Sequence, residues 1–151
     1  MKNLKIDENL KNIIEKGADF HGHLGPFLVL GIKAGLTGLK EIRKPKKFGH
    51  VHAEIKLKFS VPYSCFIDGV QFTTKCTVGN QLLKIEKSRR KEITVNFEGE
   101  NSEKKLIIQV KPEIINYLME QFAKGTSNEE LAWKIASLPE EKIFFIKSNI
   151  K

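Results

Sequence analysis

Residues 51–61, VHAEIKLKFSV, decide the fold class. Val51, Ala53, Ile55, Leu57, Phe59 and Val61 alternate with His52, Glu54, Lys56 and Lys58. Successive side chains of a strand point to opposite faces, so this pattern predicts a half-buried strand with one side laid on a core. Residues 82–86, 92–98 and 105–110 read as further strands joined by polar turns, which together predict a meander. The flanking segments carry a helical period instead. Residues 7–17 place Leu10, Ile13, Ile14 and Gly17 in helical order, with Asp7 set to cap the start. Residues 23–40 form a second apolar segment whose first turn suits Pro26. Gly31, Gly35 and Gly38 recur inside it. Each weakens a helix by up to about 1 kcal/mol, so close approach of a second helix or a partner subunit is expected there. Beyond the strands, Pro112 opens a helix over 113–124 closed by Gly125. Ser127 and Glu130 resemble a capping box for a short helix to Ser137, and 142–150 (KIFFIKSNI) reads as a last strand. Helices, then strands, then helices again predict α+β: a single domain over 1–151, with an antiparallel-rich sheet packed against helices.

A chain of 151 residues has the length of one domain, and its core needs no disulfide or structural metal to hold together. It has no run of about 18 apolar residues, so no membrane span is expected. The start, MKNLKIDENLKNIIEKG, is an amphipathic helix without the apolar block of a signal peptide, which makes the cytoplasm the expected location. The net charge of +8 would suit an anionic partner. The basic residues gather in Lys40–Lys47 (KEIRKPKK) and Lys84–Lys91 (KIEKSRRK), interleaved with Glu and without aromatic residues. No nucleic-acid motif accompanies them, so nucleic acid is not the expected partner.

Two constellations carry chemistry. The first is Phe20-His21-Gly22-His23-Leu24-Gly25-Pro26, at the mouth of the glycine-containing helix. Neutral imidazole is the commonest metal ligand, and Gly22 allows the backbone to bend so that one or both rings converge. The alternative is a histidine making local hydrogen bonds at a helix start. The second constellation is Ser64–Asn80, SCFIDGVQFTTKCTVGN. Ser64 is placed to cap a helix with Cys65 in its first turn, where the helix N-terminus favours thiolate. Asp68 follows on a nearby face, and Cys76 precedes Thr77-Val78-Gly79-Asn80, a turn whose glycine leaves N–H groups open to a ligand. Alternatively, both cysteines are small core residues. One continuous helix over 65–76 would separate them by about 16 Å, too far for one ion. Three arrangements stay open: the segment breaks, only one cysteine joins the histidines, or the second serves another site. His50 and His52 form a second His-x-His pair, read as surface residues.

Together the motifs resemble the core domain of the E-subunit family of formylmethanofuran dehydrogenase. The resemblance is carried by His21-Gly22-His23-Leu24-x-Pro26, by Cys65-x-x-Asp68-Gly69-Val70-Gln71 and by Cys76-Thr77-x-Gly79-Asn80, with Pro139–Phe144 similar to the family's last strand. It implies an α+β core, a homodimer, and a transition-metal site, commonly zinc, built from the His and Cys motif positions. It also implies association with other formylmethanofuran dehydrogenase subunits, or a stand-alone role in one-carbon metabolism. Two departures stand out. Position 25 is Gly where the family often has Cys, and the Cys-rich zinc finger that some members append is not in this sequence.

The leading expectation is therefore a zinc-binding protein with His21, His23, Cys65 and Cys76 as ligands and Asp68 as an acid/base or supporting group. An open coordination position would permit Lewis-acid chemistry on a small carbonyl or formyl compound. The competing expectation is a non-enzymatic module holding an anionic cofactor through Thr77, Gly79 and Asn80 and the basic clusters. A thiol-redox pair of Cys65 and Cys76 is disfavoured by the absence of a C-x-x-C spacing.

Overall fold

A computed structural model of the chain describes residues 6–42, 50–100 and 103–149. Its elements in order are α1 (Glu8–His21), α2 (Pro26–Ile42), β1 (Val51–Lys58), α3 (Cys65–Thr74), β2 (Leu83–Ser88), β3 (Ile93–Gly99), β4 (Lys105–Val110), α4 (Pro112–Ala123), α5 (Asn128–Ser137), α6 (Glu140–Ile143) and β5 (Phe144–Ser148). The strands form one sheet in the order β2-β1-β3-β4-β5. Only the β1–β2 pair is parallel. The fold is α+β, a single domain with an antiparallel-rich sheet packed against helices.

The expected meander gives way to a different order. Between β1 and β2 the chain makes α3, and a crossover helix delivers the next strand parallel to the first. β2 thus lands at the sheet edge, and β3 pairs on the other side of β1. β3 and β4 pair as consecutive antiparallel strands, as a meander would have them. β1 also ends early. The alternation placed Phe59 and Val61 on the buried face, but the strand stops at Lys58 and both side chains are exposed. The basic run 40–47 lies mostly outside the described residues, whereas Lys84–Lys91 occupies the edge strand β2 and the turn after it.

The core sits between the helices and one sheet face, where Ile55, Leu57, Val95, Phe97 and Ile108 are fully buried. α2 is its axis and packs on α3, α5, β3 and β4. The glycines explain how α3 comes so close. A methyl at Gly31 would strike the Phe66 carbonyl oxygen, and one at Gly69 the Leu28 carbonyl oxygen. Main chain thus meets main chain, which answers the expectation of a closely approaching second helix. Lys33, on another side of α2, donates from Nζ to the carbonyls of Ile135, Ala136 and Leu138, tying the end of α5 to α2. Asp7 and Ser127 cap α1 and α5 through Asn9 N–H and Glu130 N–H respectively.

Candidate metal centre

His21 is the last residue of α1 rather than part of the next helix start. Gly22 takes the left-handed conformation, φ 112°, and its N–H closes α1 on Ala18 O at 2.7 Å. That reversal is the Gly C-cap geometry a side chain would strain. It folds His23 back beside His21, with ring centroids 4.6 Å apart. Cys65, the first residue of α3, arrives from the helix that the glycines hold against α2. One donor atom from each of His21, His23 and Cys65 lies within 4.8 Å of the other two. Bonds from one zinc ion to N and S are about 2.0–2.3 Å long, so a small inward movement brings all three onto one ion.

The hydrogen bonding of His21 fits that use. Its Nδ1 meets Asp68 Oδ2 at 2.6 Å, while its Nε2 is buried and has no hydrogen-bond partner. A buried polar atom without a partner costs about 1–3 kcal/mol, unless something absent here satisfies it. A ring whose one nitrogen is held by a carboxylate while the other is left for an ion is the usual arrangement of a metal-ligating histidine. Asp68 lies three residues after Cys65, so the first turn of α3 supplies both the thiol and the carboxylate.

The Cys65 thiol departs from expectation. Burial raises its pKa, and the nearby Asp68 carboxylate raises it further, against a smaller lowering by a backbone hydrogen bond. The expected thiolate bias of a helix start does not prevail. Ser64 makes no side-chain cap bond, and the N–H groups of Cys65, Phe66 and Ile67 already donate to the carbonyls of Pro62, Tyr63 and Ser64. Their positive ends are spent within the preceding turn. A cation bound here would reverse the balance by displacing the thiol proton.

The remaining candidates are not brought to this group. α3 ends at Thr74, and Cys76 lies just past it, fully buried, with its thiol on Val51 O at 3.0 Å. It is a core cysteine at the far end of a ten-residue helix, on the order of 15 Å along the axis from Cys65. The turn beyond it bonds to itself: Thr77 N–H donates to Asn80 Oδ1, Asn80 N–H to Thr77 Oγ1, and Asn80 Nδ2 to Lys75 O. The N–H groups of Thr77 and Asn80 are therefore not open to a cofactor, and Thr77, Gly79 and Asn80 do not line the pocket beside the centre. His50 is exposed and His52 pairs with Glu100 at 3.8 Å; neither joins the metal-capable group among the described residues.

That pocket, of about 200 Å³, opens next to His23 and Cys65. Its walls come from Gly25, Pro26, Phe27 and Leu28 at the start of α2, Val61 and Pro62 ahead of α3, Phe122 of α4 and Asn128 of α5. Sequence reasoning missed Phe122 and Asn128. The capping box placed Asn128 in a helix first turn, but nothing local tells that this turn packs beside residue 25.

Fold and site together define an α+β protein with a candidate His/His/Cys metal centre. The chain belongs to the family described as FmdE, molybdenum formylmethanofuran dehydrogenase operon, whose pattern matches residues 20–147. A curated relative from Archaeoglobus fulgidus, described as a probable S-adenosyl-L-methionine-binding protein, is 28% identical over 159 residues. That match covers 91% of this chain but 43% of the relative, so the chain spans less than half of that protein's length. The crystal structure of an FmdE-like protein of tungsten formylmethanofuran dehydrogenase from Syntrophus aciditrophicus is similar with a TM-score of 0.64 at 17% identity. It covers 94% of this chain and 72% of that one, and shows the shared fold.

Proposed function

We propose that residues 1–151 form an FmdE-like core domain that binds one zinc ion through His21, His23 and Cys65. In this reading it serves one-carbon metabolism, alone or beside other formylmethanofuran dehydrogenase subunits. The observation that carries it is the buried, partnerless His21 Nε2 backed by the Asp68 bond on Nδ1. Two imidazoles and one thiolate are a donor set that suits zinc, and three protein ligands leave a fourth position for a small molecule. When bound, zinc would supply Lewis-acid polarisation of a ligand oxygen. Asp68 holds the proton on His21 Nδ1 and orients the ring, so its role is positioning; it does not line the pocket. Exposed Phe59 and Val61 near the site support a homodimer, which light scattering would test.

The ligand is small in this reading. Pockets for drug-sized molecules measure about 300–1,000 Å³, above the 200 Å³ available, which disfavours S-adenosylmethionine lying whole in this chain's pocket. The test is elemental analysis of protein made without a His tag. One equivalent of zinc per chain, lost in Cys65→Ala and retained in Cys76→Ala, is expected. Folded wild-type protein that takes up no zinc would refute the proposal.

A further inference from the structure

The pocket beside the metal donors differs in chemistry from its surroundings. In a chain with 26 Lys and Arg and 18 Asp and Glu, its wall contains none of these. Phe27, Phe122, Val61 and Pro62 make one side apolar, and Phe27 and Phe122 stack with centroids 6.5 Å apart. The other side is polar and narrow, formed by His23, Cys65 and Asn128.

Gly25 leaves a notch between two of those groups. A β-carbon there would stand 3.1 Å from Asn128 Oδ1 and 3.7 Å from His23 Nε2. With glycine, an atom of a bound molecule has that space instead, between an amide and an imidazole. Two helices, α2 of 17 residues and α5 of 10, begin at this wall, and helix starts favour negative charge. The Asn128 amide can turn its N–H toward the same point.

From this geometry we infer that the pocket binds a small organic acid. Its carboxylate lies in the Gly25 notch between His23 and Asn128, and a short branched apolar body rests on Phe27, Phe122, Val61 and Pro62. The inference rests on the metal reading of His21, His23 and Cys65, since a cation held there completes the attraction for the anion. The volume sets an upper size, excluding nucleotides and large cofactors.

Calorimetric titration of the zinc-loaded full chain with acetate, isobutyrate and isobutyramide tests it. Isobutyrate is expected to bind about tenfold tighter than acetate, for two further buried methyl groups. The uncharged isobutyramide should bind at least tenfold more weakly than isobutyrate. Phe122→Ala should shrink the isobutyrate preference to under threefold. Gly25→Ala should weaken both acids at least tenfold while one zinc per chain remains. Equal binding of isobutyrate and isobutyramide, or a zinc-loaded chain that binds neither acid, would overturn the inference and leave the metal reading standing. A zinc-free chain that still discriminates among the three probes would refute the metal reading and leave the acid pocket. A chain that takes up no zinc and binds no acid refutes both.

Discussion

Replacing Asp68 isolates the part of the metal centre that is already organised without an ion. The carboxylate meets His21 Nδ1 at 2.6 Å, and its own side chain is 39% exposed while that of His21 is 11% exposed. Removing the outer partner of a metal-ligating histidine costs 10–100-fold in metal affinity. Two substitutions divide that range. Asp68→Asn keeps an oxygen that accepts from Nδ1–H, so the ring stays oriented and only the charge is lost; because the carboxylate is part-solvated, about tenfold is expected. Asp68→Ala removes orientation as well, and a loss nearer 100-fold is expected, about 2.7 kcal/mol. Competition for zinc against a chromophoric chelator reads both. Glu98→Gln, which disturbs only a surface pair with Lys105, serves as control and should change nothing. If folded Asp68→Ala holds zinc as tightly as wild type, the bond on Nδ1 has no part in metal binding and the reasoning fails.

Metal-free Cys65 should alkylate slowly at neutral pH, with a midpoint above the ordinary thiol range because burial and then Asp68 raise its pKa. Asp68→Asn should lower that midpoint in mass-spectrometric rate profiles, and added zinc should protect the residue. Gly69→Ala drives a β-carbon against the main chain of α2, which cannot step aside as a side chain would. A loss of about 3 kcal/mol in urea unfolding is expected, and less than about 1 kcal/mol would contradict the packing. Burial lowers the Lys33 pKa from 10.5 to about 8 despite the opposing pull of Glu140. Between those values the unfolded chain binds more protons, so stability should rise with pH from 8 to 10.5, and Lys33→Met should remove that component of the slope. Cys76→Ala should cost roughly 1 kcal/mol of stability through its lost core contacts and leave zinc content unchanged.

The elements were legible wherever a local period or cap specifies them. Asp7, Pro26 and Ser127 sit where their chemistry placed them, and the left-handed turn at Gly22 follows from the residue itself. Strand order was not legible, because the choice between a hairpin and a crossover after β1 depends on where α3 can pack. That in turn depends on glycines in two separate segments meeting. The centre was half legible for a related reason. His21-Gly22-His23 and Cys65-x-x-Asp68 are local patterns, and the structure joins them. Cys76 shares its motif but not its location. Helical rise separates it from Cys65, and residues 76–80 bond among themselves. The raised thiol pKa needed the burial and the distance to Asp68, neither of which a spacing contains.

The contact between α2 and α3 has a further consequence for how this protein can change. His23 lies just ahead of one of these helices and Cys65 begins the other, and their separation is fixed where backbone touches backbone at Gly31 and Gly69. No rotamer stands in that gap to be exchanged. Drift among the surrounding aliphatic residues therefore alters how firmly the protein holds together and leaves the width of the ion's seat alone, so stability and metal geometry can evolve on separate tracks until one of the two glycines is lost.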